Sequence, residues 1–98
     1  MSKKQMSLGW ASDPAHGWLL VTEEQMKEAG VQAATFSPYS YYSEEFRTYG
    51  LEEDCDAALF LRALEKQGID HIVHEEVYSD GDSFVRSWDR IDRPIKFG

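Results

Sequence analysis

Cysteine is almost absent from this chain. Cys55 is the only one, which excludes an intrachain disulfide and suits a reducing compartment. Basic residues are scarce too. Lys and Arg number 10 against 18 Asp and Glu, giving a formal net charge of −8 and a pI near 4.7. That balance argues against direct contact with nucleic acid, where Lys and Arg must neutralise phosphates, and against anionic membranes. No apolar run approaches the length of a membrane span. Lys3 and Lys4 are followed by no apolar core, so no signal peptide is expected. The glycines nowhere form the loop that cradles phosphates. The expected location is the cytoplasm.

What is present is enough for one small core. Hydrophobic residues make up 42% of the 98 positions and aromatic residues 13%, which places the chain among folded domains. The chain reads as a single domain, 1–98, with residues 1–8 and 92–98 expected to be flexible. Gly9-Trp10 and Ser12-Asp13-Pro14 suggest a turn. Gly17 to Val21 reads as a strand apolar on both faces, hence central. Thr22-Glu23-Glu24-Gln25 matches a capping box, and the helix it opens should stop at Gly30. Thr35 to Ser43 and Phe46 to Leu51 read as two strands, the first interrupted by Pro38. Ala57, Phe60, Leu61 and Leu64 then mark one face of a second helix, capped by Asp54 and ended by Gly68. Ile69 to Tyr78 reads as a strand. Asp80-Gly81 signals a hairpin whose partner strand is Ser83 to Trp88. The expectation is an α+β fold of order β-α-β-β-α-β-β: an antiparallel or mixed sheet with two helices on one face.

The feature that stands out is acidity beside tyrosine. Glu52-Glu53-Asp54-Cys55-Asp56 lies between a strand end and a helix start, with Glu44 and Glu45 just upstream. Acids there complement a helix dipole, but one cap needs one carboxylate. Tyr39, Tyr41, Tyr42 and Tyr49 crowd the same stretch and are expected to remain in part exposed, as tyrosines do at binding hot spots. Trp18, Phe36, Phe46, Phe60 and Phe84 are assigned to the core. Glu44, Glu45, Glu52, Glu53, Asp54, Asp56, Tyr39, Tyr41 and Tyr42 are therefore the candidate partner-binding residues.

Other chemistry finds little support. His71 and His74 are three apart, which places them on opposite faces of a strand. His16 is distant in sequence. Together they lack the spacing of a zinc site, and the acids lack that of a calcium loop. Cys55 has no base tied to it and is expected to be a buried, inert thiol. Asp80-Gly81-Asp82-Ser83 reads as a turn. No catalytic residue, metal or cofactor is assigned.

The segments Asp13-Pro14-Ala15-His16-Gly17-Trp18-Leu19, Ser37-Pro38-Tyr39-Ser40-Tyr41, Leu51-Glu52-Glu53-Asp54-Cys55-Asp56-Ala57 and Gly81-Asp82-Ser83-Phe84-Val85-Arg86 together resemble a family of small bacterial proteins. That family, which has no assigned activity, is carried on phages, plasmids and other mobile elements. The resemblance implies a mobile-element accessory protein at work in a bacterial host cell, and it carries over no catalytic residue. Joined to the charge, it leads to an inhibitor of a host defence nuclease complex, an anti-CRISPR or anti-restriction factor. Such a protein would occupy a basic, nucleic-acid-binding protein surface. The alternatives are a structural or regulatory subunit of a larger assembly, and a small enzyme or metal protein built on His16, His71 or His74.

Overall fold

The computed structural model describes residues 5–32, 36, 40–81 and 83–90. Its first strand, β1 (Gln5–Ser12), begins in chain expected to be loose and runs through the expected Gly9-Trp10 turn. Met6 and Leu8 alternate inward while Gln5 and Ser7 stay exposed, the period of a strand. Strand β2 (Gly17–Thr22) returns antiparallel to it, with Trp10 opposite Leu19 and Ala11 opposite Trp18. As its apolar run suggests, β2 is interior to the sheet and buried on both faces.

Thr22 ends β2 and caps helix α1 (Glu23–Ala29) with the expected box. Its hydroxyl accepts from the Gln25 N–H at 3.1 Å, and the Gln25 side chain accepts from the Thr22 N–H at 3.0 Å. The Gln25 amide also donates to the Ser7 carbonyl at 2.7 Å, tying α1 to β1. Gly30 takes the left-handed conformation, φ +70°, that a side chain would resist. The Val31 N–H then folds back onto the Met26 carbonyl.

Strands β3 (Tyr41–Ser43) and β4 (Thr48–Glu52) form a hairpin through residues 44–47. Of the strand expected over Thr35 to Ser43, Tyr41–Ser43 form a strand, while Phe36 and Ser40 do not. Residues 33–35 and 37–39, including Tyr39, lie outside the described residues. Helix α2 (Asp56–Lys66) buries Ala57, Phe60 and Leu64, as the periodicity requires. The position before it is Cys55, not Asp54, and no side chain caps it. Strand β5 (Asp70–Tyr78) lies parallel to β1, with one register slip opposite Trp10 and Ala11. The hairpin expected at Asp80-Gly81 does not form. Residues Phe84–Ser87 make a 3-10 helix, and β6 (Asp89–Arg90) pairs with β3. Ser83 explains the change, because its hydroxyl accepts from the Val85 N–H and so nucleates a turn instead of a strand.

The six-stranded sheet has the order β5-β1-β2-β4-β3-β6. The fold is α+β, with a mixed sheet and two helices. Both helices cover one face, where Met26, Ala29, Ala57, Phe60 and Leu64 join Leu8, Leu19, Val21, Tyr42, Tyr49 and Leu51 in the main core. The opposite face carries a smaller core of Ala11, Trp18, Leu20, Tyr41 and Val85, with Trp88 packed against it. Gly50 makes that second core possible. A Cβ there would stand 2.7 Å from the Val85 side chain, so only glycine lets the 3-10 segment lie against β4.

Candidate functional site

The helix-free face is covered over only part of its length. What fixes its cover is Asp13, in the turn after β1. The Asp13 carboxylate accepts from the Ala15, His16 and Ser83 N–H groups at 3.0, 2.9 and 3.0 Å, and from Arg86 Nε at 2.7 Å. The Arg86 guanidinium and the Ser83 N–H hold that carboxyl well below the usual carboxylate range. Arg86 also lies over the Trp18 ring, 5.1 Å from its centroid, and Trp18 meets Tyr41 edge-on at 6.1 Å. The Glu53 N–H donates to the Gly17 carbonyl at 3.1 Å. Ser40 donates to the Asp56 carboxylate and accepts from the Glu52 N–H. All four resemblance segments thus meet at one end of the sheet, joined by hydrogen bonds.

The binding residues expected from sequence do not gather on one surface. Tyr41 and Tyr42 are 8% and 3% exposed, and Tyr49 is 6% exposed. This corrects the expected exposed tyrosine cluster. The Tyr42 and Tyr49 rings meet at 4.6 Å, tilted by 45°, under the helices; Tyr41 packs with Trp18 and Val85 on the other face. Tyr42 donates to Glu23. Burial, then that carboxylate, push the Tyr42 hydroxyl well above its ordinary value, and burial raises that of Tyr49. Glu52 and Asp56 are buried as well, at 8% and 1%. Glu52 accepts from the Asp54 N–H, and Asp56 accepts from the Ser40 hydroxyl. They bind the chain to itself, and the expected contribution of these four residues to a docking surface is withdrawn.

The acids that remain exposed fall into two groups. Glu44 and Glu45 sit in the β3–β4 turn; Glu53 and Asp54 sit beyond the other end of β4. At roughly 3.3 Å per residue, the length of β4 keeps the groups more than about 13 Å apart. Cys55, expected to be buried, is exposed. His71 pairs with Met6 and His74 with Gly9, which places them on opposite faces as their spacing required. Among the described residues no group of His, Cys, Asp and Glu is placed to hold a metal ion. No helix among them is long and apolar enough to cross a membrane.

Two of the aromatic residues assigned to the core from sequence are exposed. Phe46 is 61% exposed and Phe84 38%. Both correct the sequence reading, and both belong to a cavity of about 360 Å³ on the uncovered part of the helix-free face. Strand residues Ser7, Gly9, Leu20, Thr22 and Thr48 contribute the sheet side of its lining, with Gln25 beside them. Phe46, Phe84 and Trp88 supply the aromatic side; Phe84 and Trp88 meet at 5.4 Å and Phe46 and Trp88 at 6.4 Å. Phe46 also lines a second cavity of about 270 Å³ with Glu23, Glu24, Lys27 and Arg47. Sequence reasoning missed this site. The only signal was negative: Phe46 follows two glutamates in a turn, an odd place for a core residue.

Comparison with protein-family models gives no match, and comparisons with the curated proteins and with the solved structures give none either.

Proposed function

We propose that this protein is an acidic binding module whose partner is a basic, nucleic-acid-binding protein surface. The observation that carries the reading is the aromatic-lined cavity beside the Glu44-Glu45 turn, on the face that the helices leave bare. Exposed aromatic side chains provide desolvated anchor area. The net charge of −8 steers the module toward positive surfaces and sets its dependence on salt. Glu44 and Glu45 would stand where phosphates stand on the partner's own ligand. The reading involves no catalytic residue, metal or cofactor. The resemblance to mobile-element proteins makes a host defence nuclease complex the first partner class to examine, with inhibition by occupancy as the mechanism.

A second reading has its own observation. Strand β5 is an edge strand of nine residues, and Ile72, Val73, Val77 and Tyr78 on it are all exposed. Long exposed edge strands invite pairing with another chain, as in a structural or regulatory subunit of a larger assembly. One experiment separates the two: capture from a nuclease-treated bacterial lysate carrying CRISPR and restriction systems, at low and high salt. A basic nucleic-acid enzyme held at low salt and released at high salt supports the first reading. A salt-resistant partner released by Val73→Lys supports the second.

A further inference from the structure

We propose that the cavity formed by Phe46, Phe84 and Trp88 over Thr48 receives an arginine side chain of the basic partner. The inference rests on the binding reading above and names the group that is recognised. Aromatic rings supply one part of the lining. A guanidinium is planar and weakly hydrated, and it stacks on such rings, whereas a lysine ammonium is a compact, strongly hydrated point charge. Hydrogen-bonding capacity points the same way. Thr48 donates its one hydroxyl proton to the Phe46 carbonyl at 2.8 Å, so lone pairs are what it retains for a ligand. Ser7 adds a second hydroxyl oxygen, while the Thr22 oxygen already accepts from the Gln25 N–H. Guanidinium has five N–H donors and no acceptor, so the Thr48 and Ser7 oxygens can accept from it.

Charge completes the argument. Phe46 follows Glu44 and Glu45 in its turn, and its other side faces a cavity lined by Glu23 and Glu24. These carboxylates outnumber the two cations nearby, Lys27 and Arg47. A nucleobase would suit the rings, but its phosphates would meet a domain of net charge −8. The volume of about 360 Å³ is at the small end for ligand sites and suits one long side chain.

The test is a titration of the whole 15N-labelled chain with an end-blocked Gly-Arg-Gly peptide. Matched peptides carry citrulline, which keeps the shape and loses the charge, or lysine. The Trp88 indole N–H is the reporter. The expected result is saturable movement of that signal by the arginine peptide, with an affinity on the order of millimolar. Citrulline and lysine should bind about tenfold more weakly or worse. Phe46→Ala and the double change Glu44→Gln, Glu45→Gln should each weaken the arginine peptide, and Glu53→Gln with Asp54→Gln should not. Equal response to citrulline, response centred on Glu53 and Asp54, or no response at tens of millimolar would overturn the proposal. Salt-dependent capture of a basic partner that ignores Phe46→Ala would overturn the arginine site and leave the module reading standing. A saturable arginine site with no basic protein captured would do the reverse.

Discussion

The two faces of the sheet are closed by different means. On one face, two helices bury a continuous apolar core that includes Phe60, Leu64 and Leu51, each essentially inaccessible. On the other, a short 3-10 segment is clamped to the Asp13 carboxylate and covers only the end near Trp18 and Tyr41. Non-directional burial can close a whole face, because every added side chain contributes. A clamp closes only what lies within reach of its hydrogen bonds. The uncovered remainder is where the aromatic cavity lies, so the proposed binding site follows from the incomplete cover.

Breaking the helical side should cost most. Phe60→Ala is expected to lower the unfolding free energy by about 3–5 kcal/mol, the usual cost of emptying a buried aromatic position, measurable by urea denaturation. Gly50→Val tests the clamped side. Its new side chain overlaps Val85, and overpacking of this kind costs about 1–3 kcal/mol. Because Val85 belongs to the 3-10 segment, the variant should also expose Trp88 to quenchers and weaken binding at the cavity, whereas Phe60→Ala should lower stability without a selective effect on that segment.

The pH dependence sharpens the same contrast. Asp13 has its carboxyl depressed by Arg86 and Ser83. Its contribution is therefore complete above the unfolded value of about 3.9 and is lost as pH falls through the lower folded value. Tyr42 and Tyr49 are shifted upward, mainly by burial. Their contribution is complete below the unfolded value of about 10 and is lost as pH rises from there toward the folded values. Acid should therefore release the 83–88 segment first, and alkali should attack the helical core first. Amide exchange at Ser83 and in α2, followed at both extremes, checks the order. The smallest effect on stability belongs to Phe46→Ala, within about 0.5 kcal/mol for an exposed residue, though its effect on binding should be large.

Local signals are legible in the sequence. The Thr22 box, the Gly30 stop and the apolar stripe of α2 each lie within one turn of chain, and each appears as expected. Strand β1 was legible in the alternation of Met6, Leu8 and Trp10, but polar neighbours near the chain start outweighed it. Burial of the tyrosines was not legible. Tyr41 is covered by residues more than forty positions later, and the Arg86–Asp13 bond that holds the cover spans 73 positions. Phe46 and Phe84 were misassigned for the same reason: whether an aromatic side chain is buried depends here on where a distant clamp stops.

The central claim is that the Glu44-Glu45 end of the helix-free face, and not the Glu53-Asp54 end, meets the basic partner. The direct measurement is the affinity of the captured partner for two charge reversals, Glu44→Lys with Glu45→Lys and Glu53→Lys with Asp54→Lys. All four positions are exposed, so both variants should fold. The expected result is a loss of at least about tenfold for the first pair, comparable to the removal of a binding hot spot, and little change for the second. Equal losses, or a loss confined to Glu53 and Asp54, would contradict it.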